Sequence, residues 1–189
     1  MKLLLHTCCA PCLIGVLPSF TDSADTANTA DFEITCFWFN PNIHPYTEYQ
    51  SRLNAFTAFT QSNNINSHVA NYYGLRTFLR VGADNIAELE NPEKRCEFCY
   101  DWRMKECALL ASENNFDAFS STLSVSPYQN HAKIREAGEK YAGLYGVGFF
   151  YCDFRENFRA AQKRARENGI YMQKYCGCIF SEEERYLRY

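Results

Sequence analysis

The chain has 189 residues, 47% of them hydrophobic and 16% aromatic, which is enough to bury a core as one domain and too aromatic for a disordered polymer. Its formal net charge of −3 excludes a polycation, so any grip on nucleic acid must come from a local basic patch. Ten cysteines in a chain with this much apolar matter point to reduced thiols or metal ligands, not to a small disulfide scaffold.

Residues 2–6 read as a short buried strand, a continuous apolar run covered on both faces. The opening MKLLLHTCC has only three leucines in a row, far short of the ~7–15 apolar residues of a signal peptide. No run approaches the ~18 apolar residues of a membrane helix, so the expectation is a cytoplasmic protein without membrane contact. LLLHTCCAPC (3–12) then crowds Cys8, Cys9 and Cys12 directly behind the first strand. The polar, acidic TDSADTANTAD (21–31) reads as a surface loop. FEITCFWFN (32–40) is a second buried strand, and NPNIHP after it is turn chemistry. A helix starts near Pro45, with Tyr46, Tyr49, Leu53 and Phe56 at helical spacing.

EKRCEFCYDWRMKECALLASENN (93–115) carries a long helix with Tyr100, Met104, Cys107 and Ala111 on one stripe. DAFSSTLS (117–124) is a third strand. Ser126–Pro127–Tyr128–Gln129 spells a helix start, with Ser as N-cap, Pro in the first turn and Gln as capping partner. GFFYCDF (148–154) is another strand. The helix after it puts Phe154, Phe158, Ala161 and Ala165 on one face and stops at Asn168–Gly169. A cysteine-bearing C-terminal segment (170–189) reads as a loop and then a short helix. Strands alternating with helices imply βα units, so the fold class is α/β, a single domain (1–189) with a mainly parallel sheet flanked by helices. Sites in such sheets form at the carboxyl ends of the strands, where Cys8, Cys9 and Cys12 lie.

Three groups of cysteines have ligand-like spacing: Cys8–Cys9 with Cys12, Cys96–x–x–Cys99 and Cys176–x–Cys178. Together they suit a thiolate-rich metal site. Cys107 lies eight residues beyond Cys99, about 12 Å along a helix axis, so the two do not share a centre. Cys107, Cys36 and Cys152 read as small buried hydrophobes. Cys12, one helical turn after Cys8, reads as packing support. Five or six ligand-like thiols exceed the four that one zinc ion or one iron–sulfur cluster needs. The surplus implies a second metal or a catalytic thiol.

In order along the chain, LLLHTCCAPC, FWFNPNIHP, RCEFCYDWR, STLSVSPYQNH, DFR and YCGCIFS resemble the motifs of QueH-type epoxyqueuosine reductases. The resemblance spans nearly the whole chain. It implies a HUP-type, PP-loop-like fold and a [4Fe-4S] enzyme that removes the epoxide oxygen of epoxyqueuosine at the wobble position of tRNA. On that reading the metal ligands are drawn from Cys8, Cys9, Cys96, Cys99, Cys176 and Cys178. The surplus thiols leave room for a second single metal ion, iron or zinc, beside the cluster or for a catalytic thiol, and an external donor supplies electrons. No glycine-rich phosphate cradle follows the first strand, so ATP is not expected.

That chemistry needs a proton donor, and Asp153 and His6 are the candidate acids. It also needs a hold on tRNA. Arg155, Arg159, Lys163 and Arg166 recur at i, i+4, i+8 and i+11, a basic stripe opposite the apolar one, which Arg103, Lys133 and Lys174 extend. Tyr128, Tyr171 and Tyr175 are candidates to stack on an extruded base. Two other readings stay open: a thiol oxidoreductase built on Cys96–Glu97–Phe98–Cys99, and a zinc-stabilised RNA-binding module.

Overall fold

The computed structural model describes residues 1–21, 32–84 and 86–187. Apart from Thr21, the surface loop expected at 21–31 lies outside them. In chain order the described elements are β1 (Lys2–His6), α1 (Ala10–Val16), α2 (Pro18–Thr21), β2 (Glu33–Trp38), α3 (Tyr46–Ser62), β3 (Asn66–Val69), α4 (Leu75–Asp84) and α5 (Ile86–Glu90). There follow α6 (Pro92–Glu113), β4 (Ala118–Ser121), α7 (His131–Tyr145), β5 (Gly148–Phe149), α8 (Phe158–Glu167) and α9 (Ile179–Tyr186), with 3-10 turns at Thr122–Val125 and Arg155–Asn157.

The strands form one parallel sheet in the order β3-β2-β1-β4-β5. The central strand β1 carries Leu3, Leu4 and Leu5, all fully buried. Alternation sends Leu4 and Leu5 to opposite faces. Leu4 joins a core with Phe37, Tyr100, Met104, Cys107, Phe119 and Ile134, under α6 and α7. Leu5 joins a second core with Leu13, Cys36, Trp38, Tyr49, Leu53 and Phe56, under α1 and α3. This two-sided cover is why the strand reads as an unbroken apolar run. α8 then packs on α1. A Cβ on Gly15 would stand 2.8 Å from Val125 Cγ2 and 3.0 Å from Ala161 Cβ, so only glycine admits that approach.

The chain leaves β1 toward β2 on one side and has β4 on its other side. The strand order therefore reverses at β1/β4, the position at which an open α/β sheet forms a crevice. Cys8 N–H donates across this gap to Thr122 Oγ1 at 3.1 Å.

Two expectations need correction, and three elements were missed. The helix expected at Ser126 starts at His131, where the Asn130 side chain accepts from Lys133 N–H at 3.2 Å. Residues 126–129 close a turn instead, Gln129 N–H to Ser126 O, and Tyr100 Oη holds both Gln129 Oε1 and Asn130 N–H. The strand expected over 148–154 pairs only at Gly148–Phe149, because the chain then leaves β4 and Phe154 N–H bonds Ser124 O. Finally, β3, α4 and α5 were not foreseen. Every β3 side chain is exposed, so its ladder to β2 holds it with no apolar alternation to betray it.

Candidate metal centre

The first thiol group follows from how β1 ends. Cys9 is the N-cap of α1, and its Sγ accepts from Cys12 N–H at 3.4 Å. Pro11 suits the first turn, which lacks an acceptor for its N–H anyway. That single turn brings Cys12 back over Cys8 and Cys9, so the three Sγ atoms lie within 4.8 Å of one another. Cys8 and Cys9 Sγ are 3.9 Å apart. Tetrahedral zinc–thiolate bonds of about 2.3 Å place their sulfurs about 3.8 Å apart, so the spacing suits a single ion. Hydrogen bonds from Cys12 and Cys9 hold the Cys8 thiol well below its usual range, whereas burial pushes Cys9 up and hydrogen bonding to Cys8 pushes Cys12 up. Geometry brings Cys12 Sγ into one group with Cys8 and Cys9, and the same side chain is packed in the second core.

The second group joins α6 to the C-terminal segment. Asn91 caps α6, with Pro92 in its first turn, and this sets Cys96 about one turn in and Cys99 about two. Cys178 caps α9, its Sγ accepting from Ser181 N–H at 3.4 Å. Cys99 and Cys178 share a small buried cluster with Phe78 and Leu89. Cys96 and Cys99 each feel the charges of Cys176 and Cys178, after burial, which is the main cause that raises both thiols. These four thiols from two segments stand as one electrostatic neighbourhood. Cys107 is fully buried in the core, and Cys36 lies fully buried in β2, its thiol pushed up to about 12 by burial.

A cavity of about 670 Å³ connects the groups. Cys8, Cys12 and Cys176 line it together with five cations, Arg52, Arg103, Arg159, Arg166 and Lys174, and among the described residues no carboxylate does. Tyr128, Phe158 and Tyr175 are on its wall, and the Tyr128 and Phe158 rings meet edge to face at 5.9 Å. Gln129 and Gln173 point amides at sulfur: Gln129 Nε2 lies 3.7 Å from Cys176 Sγ, and Gln173 Nε2 lies 3.0 Å from Cys9 Sγ. Cys9 and Cys178, by contrast, are buried and do not line the cavity.

Other expected site residues stand elsewhere. His6 is fully buried with both ring nitrogens engaged, Nε2 to Phe39 O at 3.1 Å and Nδ1 to Ser121 Oγ at 3.0 Å. A carbonyl only accepts, so Nε2 carries the hydrogen and Nδ1 accepts. Burial lowers the His6 pKa to about 4, leaving a neutral ring with no free proton. Asp153 is gripped by the Arg155 guanidinium, Nε at 2.9 Å, which lowers its pKa to about 2. It is a carboxylate outside the cavity wall, and the geometry supports neither residue as the acid. Arg155 is thereby neutralised. Lys133 bridges Glu97 and Glu136, and Lys163 faces Glu167, all outside the wall. Tyr171 donates to Glu48 Oε2 and faces a different groove. Sequence reasoning missed Arg52, Gln129 and Gln173. For Arg52 a signal existed, a charge set beside Tyr49, Leu53 and Phe56 on an apolar helix face.

The model of the family "Epoxyqueuosine reductase QueH" matches residues 3–184. Curated proteins of that name from Acinetobacter baylyi and Thermotoga maritima are 34% and 33% identical, covering 95% and 96% of this chain and 80% and 91% of their own lengths. The one from Dehalococcoides mccartyi is 31% identical over 98% of this chain and 94% of its own. Among solved structures, the U34-tRNA thiolase NcsA from Methanococcus maripaludis, with its [4Fe-4S] cluster, shares the fold at a TM-score of 0.54 and 12% identity, over 96% of this chain and 61% of the thiolase. Motif order, match length and identity all lead to one placement: the chain belongs to the epoxyqueuosine reductase QueH family.

Proposed function

We propose that the chain reduces epoxyqueuosine to queuosine at the wobble position of tRNA. The observation that supports this best is the cavity wall, where three thiols and five cations meet with no carboxylate among the described residues, in a chain of net charge −3. Such a wall suits a polyanion brought to a redox centre. Arg159, Arg166 and Lys174 take phosphates, and Tyr128 with Phe158 and Tyr175 offer aromatic surface to the extruded base. Removing the epoxide oxygen takes two electrons and two protons, and the oxygen leaves as water. Cys96, Cys99, Cys176 and Cys178 would hold the [4Fe-4S] cluster, which when bound supplies electrons one at a time. Cys8, Cys9 and Cys12 would hold a second, single ion of iron or zinc. Tyr128 on the wall is 83% exposed, so solvent reaches the cavity and can deliver the protons. An external donor restores the electrons in the cytoplasm, without ATP. No helix of the described residues is long and apolar enough to cross a membrane.

The test is anaerobic turnover with tRNA carrying epoxyqueuosine, a strong reductant and nucleoside mass analysis. Loss of one oxygen from the modified nucleoside is expected. Protein loaded with iron and sulfide that binds the tRNA and leaves the oxygen in place would exclude the activity. Zinc as the sole metal would favour an RNA-binding module.

A further inference from the structure

One buried cation stands between the two thiol groups. Arg52 on α3 is 3% exposed, and its guanidinium is divided among three acceptors. Nε donates to Glu48 Oε1 at 2.7 Å, Nη1 to Cys176 O at 2.8 Å and Nη2 to Tyr175 O at 2.9 Å. Two of these bonds reach a segment more than 120 residues later in the chain. The other Glu48 oxygen accepts from Tyr171, at the start of that same segment. The Tyr175 ring lies 5.6 Å from the guanidinium carbon, and the backbone of Gly177 passes so close that a Cβ there would lie 3.3 Å from Nη1. The positive charge of Arg52 also acts on Cys9 and Cys176, one thiol from each group.

A buried guanidinium normally exists to satisfy a carboxylate. Here Glu48 takes one edge of the fork, and the other edge is spent on two backbone carbonyls of the cysteine loop. Lysine could not do both, since its single ammonium lacks the planar fork. We propose that Arg52 is the positioning residue of the Cys176–Gly177–Cys178 loop: it fixes the loop before any metal binds and leaves a positive charge beside the thiolates. This rests on the reading that Cys176 and Cys178 serve a cluster.

The experiment is amide hydrogen exchange on the metal-free full chain, followed by redox titration of the loaded chain. In Arg52→Gln, amides of residues 174–178 should exchange about 10-fold faster or more, as loss of charged hydrogen bonds frees the loop, while β1 and β4 keep their protection. Arg52→Lys should show the same fast exchange, yet hold its reduction potential near the native value because the charge remains. Arg52→Gln should titrate at a lower potential, since a nearby cation favours the more negative, reduced cluster. Native exchange over 174–178 in Arg52→Gln overturns the proposal. If that variant does not fold, Glu48→Gln decides: it leaves the arginine but loosens its anchor, so the loop should exchange faster than native, and unchanged exchange overturns the proposal equally. A native chain that takes up no iron and sulfide would sink the cluster reading alone, because the exchange result needs no metal.

Discussion

Cys99 and Cys107 lie two turns apart on α6, yet they have opposite surroundings. Cys99 meets the charges of Cys178, Cys176 and Cys96, whereas Cys107 packs among Leu4, Met104 and Phe119 with Leu4 O at 4.0 Å from its sulfur. Cys99→Ser should therefore lose iron and sulfide on anaerobic reconstitution. Cys107→Ser should retain both and lose about 1–3 kcal/mol of stability for the buried hydroxyl. Full metal in Cys99→Ser would remove it from the ligand set. His44 supplies a second test. Its ring is fully buried against Tyr73 and Phe78, and burial lowers its pKa to about 4 despite the Pro41 carbonyl beside it. The folded pKa lies below the unfolded value of 6.5, so the neutral ring's contribution is complete above pH 6.5 and is lost as pH falls toward 4. Between pH 7 and pH 5 this one residue should cost about 2 kcal/mol in urea unfolding of the metal-free chain. His44→Phe should flatten that part of the slope, and an unchanged slope would show that the ring titrates freely in the fold. The cysteine spacing was legible because local chain geometry sets which thiols can converge. Gln129 and Gln173 were not, since each acts on sulfur in a distant segment and no local pattern records such a partner, and for Arg52 the charge on an apolar helix face marked the residue but not the carbonyls it holds.

At the scale of elements, the basic stripe shows how a correct period can mislead at a boundary. Arg155, Arg159, Lys163 and Arg166 share a face only if one α-helix runs through all four. The helix begins at Phe158, however, and Arg155 sits in a 3-10 turn, bonded back to Asp153. Seven residues apart on α8, Arg159 and Arg166 both reach the cavity, while Lys163 points away at 76% side-chain exposure. Arg159→Glu and Arg166→Glu should each weaken tRNA binding and lower the slope of log affinity against log salt by roughly one unit per lost phosphate contact. Lys163→Glu should change neither, as measured by filter binding over a salt series. Equal effects at all three positions would mean that the whole face is one diffuse cationic surface. α3 and α6 were legible because their buried residues recur at helical spacing. β3 was not, because an exposed edge strand needs only its neighbour's backbone.

At the scale of the molecule, the α/β reading followed from apolar runs with no alternation, and the structure supplies the cause: Leu4 and Leu5 enter different cores on opposite faces of the sheet. Those two cores also decide what a metal can contribute. Cys9, Cys12 and Cys107 are packed within them as small apolar side chains, and large residues such as Trp38, Phe56 and Phe119 are fully buried in the same cores. Burying each large side chain is worth about 1.5–3 kcal/mol, so the sheet does not need a metal to fold. Metal loading should then act as ligand binding to an already folded chain, raising the melting temperature by linkage with metal affinity. The metal-free protein should keep its far-ultraviolet circular dichroism and a cooperative thermal transition. A zinc-finger-like module behaves otherwise, because its thiolate site supplies most of the folding energy and chelation unfolds it. Calorimetry of the chain before and after anaerobic removal of iron separates the two. A lowered but intact transition fits a reductase with a cofactor docked at the edge of its sheet. A flat trace without metal would make the thiol groups the core of the fold, and the two hydrophobic layers would have to be judged too weak to stand alone.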